Sequence, residues 1–553
     1  ADELPPTERI KKIAEIFNTF KNPDKETVLT PWRVVNLHLG ETLGGYDFFD
    51  EKHEDILDSP RFVNNGEITS ETLTKIDARI LEINSKSGLY PLYVAYSLYR
   101  ARLQKDEAEY KIEDLYKYWD EAVKENVFVV CKTPMAQSIT KRTLIGYRNE
   151  KCNTHHFEDL INQFKNKSDN VVKKIKSPSY WGLKGIKEME FDAVVGNPPY
   201  QEETVRQKSK TNGQAPRRNV FHYFQIVSDV ITSNYTSLIY PGARWIHRSG
   251  KGLAQFGLEQ INDPKLMQID FYADSQEIFK EVAIGDGISI VLKSKKKASK
   301  GFFYVYHKND LIKAIEMDNP GEELILLNPS DNSIIRKVKQ YCERNNLKYV
   351  FDRVLPRSLF GIESNFVEDN PSKVREYNDG DIINYTLEIK LLTNDKAGKM
   401  GRSKWFVVSI ADIPSGQEYI GKWKVIVSSA NAGGQKRDRQ LEVVDNHSAF
   451  GRSRVALGAF DTKEEAINYY NYINSVLIKY LFLMTDEALT SLGKMVPDIG
   501  DYTKNNKIID FSKDIDMQLY GLFKITNDEQ NYISSVLAEK QKNKIPVVEE
   551  ESD

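Results

Sequence analysis

Apolar positions along the chain change spacing several times, and each change marks a different element. In TERIKKIAEIFNTF, Ile10, Ile13, Ile16 and Phe17 fall on one face at helical spacing, which predicts a helix over residues 7–20. VLTPWRVVNLHLGETLGG predicts a second helix, with Thr30 as N-cap, Pro31 at the first helical position and Gly44-Gly45 as its stop. ARILEINSKSGLYPLYVAYSLYRARL reads as a short apolar strand, a loop and a helix from near Leu89. NVFVVCKT is strand-like and precedes the helix-like PMAQSITKRTLIG, while FDAVVG, SLIYPG and GISIVLK are three further β-rich runs. Strands alternating with helices predict an α/β sheet.

The alternation loosens after about residue 300, past the basic run Lys293 to Lys300. Irregular strands such as KWFVVSI and KWKVIVSSA follow, separated by loops rich in Gly, Asn and Lys. Two long helical stretches close the pattern: TKEEAINYYNYINSVLIKYLFLM and DIDMQLYGLFKITNDEQNYISSVLAEK. The expected organisation is an N-terminal helical segment (1–25), an α/β domain (26–325), a mixed α+β domain (326–535) and an acidic tail (536–553).

Composition narrows the function without naming it. At 553 residues and 40% hydrophobic, the chain can bury more than one core. Its formal net charge of −3 excludes a uniformly basic nucleic-acid coat, so any nucleic-acid surface must come from local clustering of its 77 Lys and Arg. Three scattered cysteines, Cys131, Cys152 and Cys342, fit neither a disulfide framework nor a zinc site, and point to a reducing, cytoplasmic setting. No apolar run reaches the roughly 18–20 residues of a membrane helix, and no signal-peptide pattern opens the chain. The histidines offer no HExxH spacing, and the adjacent His155 and His156 do not share a face, so no metal is expected.

The chemistry concentrates in FDAVVGNPPYQ. A buried strand ending at Gly196 puts Asn197 at the carboxyl edge of a sheet, where α/β ligands bind. Pro198 and Pro199 fix φ and remove backbone donors, leaving a rigid loop of acceptors beside the Asn197 amide oxygen. Such a loop suits a planar –NH2 group held by both hydrogens, with the Tyr200 ring as a stacking face. An amino group on a heterocycle is a poor nucleophile because its lone pair is delocalised. Accepting both its hydrogens favours a pyramidal, reactive nitrogen, and positioning with electrostatics carries the acceleration. The bland alternative is a plain turn, which the preceding strand argues against.

FDAVVGNPPYQ resembles the catalytic motif of S-adenosylmethionine-dependent amino-methyltransferases. The order Thr30-Pro31, then ILEINSKSG, then Asn197-Pro198-Pro199-Tyr200, then a long C-terminal region resembles the gamma class of DNA adenine-N6 methyltransferases in type IIG-like restriction–modification systems. The resemblance implies a Rossmann-like methyltransferase domain followed by a target-recognition domain. It implies S-adenosylmethionine as cofactor, with double-stranded DNA and a restriction nuclease or helicase, as subunit or fused domain, for partners. It assigns Thr30, Pro31, Glu82, Asn84, Gly88, Cys131, Glu158, Asp159 and Asn197 to the cofactor, and Tyr200 and Phe279 to stacking on an extruded base. The cofactor region departs from the family: Lys86 stands where a first loop glycine is expected, and Cys131 where an acid would hold the ribose.

Base reading would fall to basic residues near aromatics in GKMGRSKWF, GQKRDRQ and FGRSRVALG. The candidates are Arg402, Lys404, Arg437, Arg439, Arg452 and Arg454, each of which could equally be a phosphate contact or a solvated charge. The alternatives are a methyltransferase for RNA or a protein amide, and a non-enzymatic DNA-recognition subunit with an impaired cofactor site. No Pro-Cys supports attack at cytosine C5, and no Walker-type loop or nuclease motif is present.

Overall fold

The computed structural model describes residues 2–20, 29–106, 112–203, 217–248, 252–298, 300–309, 311–323, 325–398, 400–435, 438–484 and 489–542. It divides into two units, Ala1–Leu327 and Asn328–Asp553. The first is built on a nine-stranded sheet: β1 (Ile80–Ser85), β2 (Val127–Cys131), β3 (Asn153–His156), β4 (Phe191–Gly196), β5 (Thr232–Pro241), β6 (Leu266–Tyr272), β7 (Ile288–Ser294), β8 (Gly301–Lys308) and β9 (Leu311–Asp318). The spatial order is β3-β2-β1-β4-β5-β7-β6-β8-β9. Strands β1 to β5 run parallel, and β7 inserts antiparallel between β5 and β6.

β1 and β2 are buried along their whole length; β2 therefore reads as a continuous apolar run, while β1 buries Glu82, Asn84 and Ser85 among its apolar residues. One face of the sheet packs against α1 (Pro6–Asn18), α2 (Trp32–Thr42), α3 (Leu89–Asp106) and α4 (Pro134–Ile145), through Ile10, Val35, Tyr93 and Leu144. The opposite face takes α5 (Phe221–Ile231) through Phe221, Phe224 and Val227. Parallel order reverses between β1 and β4, so the carboxyl ends of these two strands flank the crevice where such sheets bind ligands.

Several expectations are corrected here. α1 is not a separate segment, because Ile10, Ile13 and Ala14 enter the same core as α2 and α3. Thr30 does not cap α2: Pro31 occupies the N-cap position with no side-chain cap bond, which frees the Thr30 hydroxyl for the site below. The expected Thr-Pro cap occurs instead at α4, where the Thr133 side chain accepts from Ala136 N and Pro134 follows. The sheet continues through β8 and β9, past the point where the sequence pattern loosens. The basic run is internal to the fold only at its start, and Lys295, Lys296 and Lys300 are exposed. Lys293 is buried between Asp229 and Asp263, Lys296 pairs with Glu71, and Lys295 and Lys297 donate to backbone carbonyls.

The second unit holds a four-stranded sheet in the order 374–376, 403–409, 388–394, 448–450, and a three-stranded sheet in the order 442–444, 423–428, 454–460. Leu391, Phe406, Ile426 and Ala456 from both sheets form one core with Phe360 from the preceding loop. Each closing helical stretch is broken in two. Ser475 turns extended between Lys463–Asn474 and Val476–Leu483, and Lys524, at φ +56°, ends Ile515–Phe523 before Asn527–Lys542.

Candidate active site at the carboxyl edge of the sheet

The loop after β4 is fixed by its first residue. Gly196 has φ +152°, and a Cβ there would stand 2.6 Å from the Ile83 carbonyl oxygen of β1. Only glycine lets the chain leave the sheet so close to its neighbour. Asn197, Pro198 and Pro199 follow, all buried. The Asn197 Nδ2 donates to Thr30 Oγ1 at 3.0 Å, and the Asn197 main-chain oxygen accepts from Asn84 Nδ2 at 2.8 Å. The first bond orients the side-chain amide, the second holds its backbone, and Oδ1 is left buried with no partner. Tyr200 packs at the junction of two apolar clusters, and its hydroxyl is likewise buried and unpartnered.

The end of β1 repeats the theme. Glu82 pairs in register with Val195 of β4, and its Oε2 is buried without a partner. Burial pushes its carboxyl up to about 8, against a hydrogen bond from Ser85 and the charge of Lys86. Asn84 adopts φ +65°, a left-handed conformation that Asn tolerates better than most residues, and its Oδ1 is also unpartnered. Three acceptor oxygens and one phenol therefore sit unsatisfied where β1 and β4 end. Buried polar groups are normally paired, so this cluster fits a ligand rich in N–H donors.

Gly88 serves helix packing in the first place. A Cβ there would stand 2.9 Å from Thr140 Cα, so the glycine permits α4 to pack against the loop. Thr143 Oγ1 donates to the Ser87 carbonyl and Lys132 N to that of Ser85, fastening the same loop.

A supporting network escaped the sequence reading. Thr42 Oγ1 donates to the His38 carbonyl, and Ser237 Oγ donates to Thr42, so Ser237 must accept from His38 Nε2 at 2.8 Å. His38 Nδ1 is then the acceptor and Tyr90 the donor, at 2.7 Å. Burial holds the imidazole neutral, with its pKa pushed down to about 3. The chain leaves the Tyr90 oxygen as an acceptor close enough to Tyr200 and Glu82 for their charges to raise its pKa further. The only signal in the sequence was a histidine on the buried face of α2.

The remaining candidates are divided. Cys131 ends β2 fully buried, its thiol bonded to Thr140 and its pKa raised by burial, so it does not replace the expected acid. Glu158 and Asp159 lie exposed just beyond β3, and Asp159 caps the helix 160–166 through Asn162 N. Phe279 is 2% exposed among Val34, Leu37, Ile239 and Tyr272, in a cluster that Tyr200 borders, so its ring is core-packed rather than open for stacking.

In the second unit the basic candidates separate by burial. Arg439 is 7% exposed, donates to the Ile473 carbonyl and lies over the Phe482 ring, while Arg454 is 8% exposed and bonded to Gln440 and Glu442. Both are structural, which corrects their assignment to DNA. Arg402, Lys404 and Arg452 are exposed; Lys404 pairs with Glu376 and Arg452 with Glu363. Arg437 lies outside the described residues. Among the described residues no group of three or more His, Cys, Asp or Glu could hold a metal, and no helix is long and apolar enough to cross a membrane.

A sheet ordered β3-β2-β1-β4-β5-β7-β6 with β7 antiparallel, carrying its polar site at the β1 and β4 ends, is a class I S-adenosylmethionine-dependent methyltransferase fold. Residues 125–279 match the family described as Eco57I restriction-modification methylase, which implies S-adenosylmethionine as cofactor. A putative type II restriction enzyme and methyltransferase of Methanocaldococcus jannaschii is 22% identical over 448 residues, 68% of this chain and 36% of that protein. The chain thus spans about a third of the length of this curated relative. Among solved structures, the type IIL restriction-modification enzyme MmeI in complex with DNA is 9% identical with a TM-score of 0.41, covering 85% of this chain and 73% of that one. A DrdV–DNA complex is 10% identical with a TM-score of 0.42, covering 89% and 58%.

Proposed function

We propose that this chain methylates the exocyclic N6 of adenine in DNA as the modification part of a restriction–modification system. In this reading the first unit performs transfer and the second selects the sequence. The observation that carries the reading is the unpartnered, oriented Asn197 Oδ1 at the end of β4, within an Asn-Pro-Pro-Tyr loop. The family match over residues 125–279 supports it.

Asn197 Oδ1 accepts one N6 hydrogen of the target, and the Pro198 carbonyl accepts the other. Thr30 keeps the amide from rotating and Asn84 holds its backbone, so the acceptor needs no reorganisation when charge develops on the nitrogen. Tyr200 offers its ring to a base taken out of the duplex. Glu82 and Asn84 present acceptors to the ammonium end of the cofactor, and a cation there draws Glu82 back to its ionised form. The bound cofactor supplies a methyl group on sulfonium sulfur, open to in-line attack. Exposed Arg402, Lys404 and Arg452 serve phosphate contacts.

The test is transfer of isotopically labelled methyl from S-adenosylmethionine to unmethylated mixed-sequence DNA, followed by nucleoside analysis. Label on N6 of adenine that disappears with Asn197→Ala is expected. Label on cytosine, RNA or protein instead, or none despite cofactor binding, overturns the reading.

A further inference from the structure

The sequence puts Cys131 where an acid would ordinarily hold the ribose hydroxyls, and the structure turns that thiol away toward Thr140. The cofactor's sugar therefore needs another partner at the ends of β2 and β3. One side chain there is unsatisfied. Tyr180, in the short 3-10 turn Pro178–Trp181, lays its ring on His155 at 4.2 Å and 29°. His155 is the penultimate residue of β3 and pairs in register with Val130, the neighbour of Cys131. Phe157, immediately beyond β3, flanks the same ring at 5.9 Å, and the Lys174 ammonium lies 5.0 Å from its centroid.

The ring is thus held on three sides while its oxygen is left without a role. The Tyr180 hydroxyl is buried with no hydrogen-bond partner, in a fold where most buried hydroxyls have one. Its ring lies over His155, whose register partner Val130 precedes Cys131, so the phenol belongs to the end of the sheet where β2 and β3 finish.

We propose that Tyr180 is the specificity-determining residue for the cofactor's ribose, its hydroxyl bonding the sugar hydroxyls that the end of β2 leaves without an acid. This rests on the methyltransferase reading above. A phenol can donate to one ribose oxygen and accept from the other hydroxyl, as a carboxylate cannot, and it adds no charge beside Lys174.

The test is calorimetric titration of the full chain with S-adenosylhomocysteine and with its 2′,3′-dideoxy analogue, comparing wild type with Tyr180→Phe. The substitution removes one oxygen and keeps the stacked ring. S-adenosylhomocysteine should bind the variant roughly 3- to 10-fold more weakly, the loss of one hydrogen bond, while the dideoxy analogue binds both proteins equally. The same loss for both ligands would mean that Tyr180 only shapes the wall, and no loss for either would mean that it does not touch the sugar. Each overturns the assignment while leaving the methyltransferase reading intact. Failure of wild type to bind S-adenosylhomocysteine would overturn both.

Discussion

The loop after β4 and the arginine-rich segments of the second unit were the two parts of the sequence richest in chemistry, and they fold in opposite ways. At the loop, Asn197 is gripped by Thr30 and Asn84 and still keeps Oδ1 buried and unpaired, beside the unpaired Glu82 Oε2, Asn84 Oδ1 and Tyr200 hydroxyl. In the second unit, Arg439 and Arg454 are buried against a carbonyl, an aromatic ring and polar side chains of their own unit. Four unsatisfied polar atoms converging on two adjacent strand ends mark a ligand site; a single unpaired Arg439 Nη1 inside its own core, beside a paired Arg454, does not. Residue type alone did not separate the two cases.

The sharpest way to break the contrast is Asn197→Ala. Removing the oriented acceptor should lower methyl transfer by about 10²–10³-fold, the usual scale for one preorganised polar group at developing charge. Melting temperature and S-adenosylhomocysteine binding should change little, and comparable loss in all three would make Asn197 structural. Glu82 gives the next largest effect, through pH. Its folded carboxyl titrates at about 8 against an ordinary 4.5, so between these values the folded state holds a proton the unfolded state has lost. Stability therefore falls as pH rises through that window, by on the order of a few kcal/mol, and Glu82→Gln should flatten the dependence in denaturant titrations.

Gly196→Ala should destabilise by roughly 1–3 kcal/mol, because the Cβ meets the Ile83 carbonyl oxygen and φ is unfavourable. Thermal denaturation would show it, and an unchanged midpoint would mean the two strand ends move apart easily. In the second unit the paired test is Arg439→Ala against Arg452→Ala. The first strands the Ile473 carbonyl and should cost roughly 1–3 kcal/mol in stability. The second should stay within about 0.5 kcal/mol, since its pair with Glu363 is exposed. It should instead lower the slope of log DNA affinity against log salt by about 0.9. An unchanged slope would remove Arg452 from the DNA path.

The legible part of the fold was the part with strong periodicity. The mostly apolar runs of β1, β2 and β4, the amphipathic α1 and the almost wholly buried α2 could be read because burial leaves a regular trace. β8 and β9 were missed because an outer hairpin alternates weakly, with Phe303 and Ile312 left exposed. Thr30 was read as a cap because Thr-Pro is a common helix start, yet tertiary contact with Asn197 claimed its hydroxyl. That Gly88 makes room for Thr140, from a helix some fifty residues later in the chain, could not be read from local spacing.

By itself, then, the sequence determined the local chemistry: a rigid proline-locked acceptor loop after a buried strand, and the alternating elements that build a parallel sheet around it. Those follow from φ restriction and side-chain periodicity, which act over a few residues. Which polar atoms are satisfied was decided only by the tertiary structure, because the partners of Asn197, His38 and Arg439 come from elements far apart in sequence. Long-range packing buried Arg439 and paired Arg454, buried the Cys131 thiol and left Asn197 Oδ1 and the Tyr180 hydroxyl without partners.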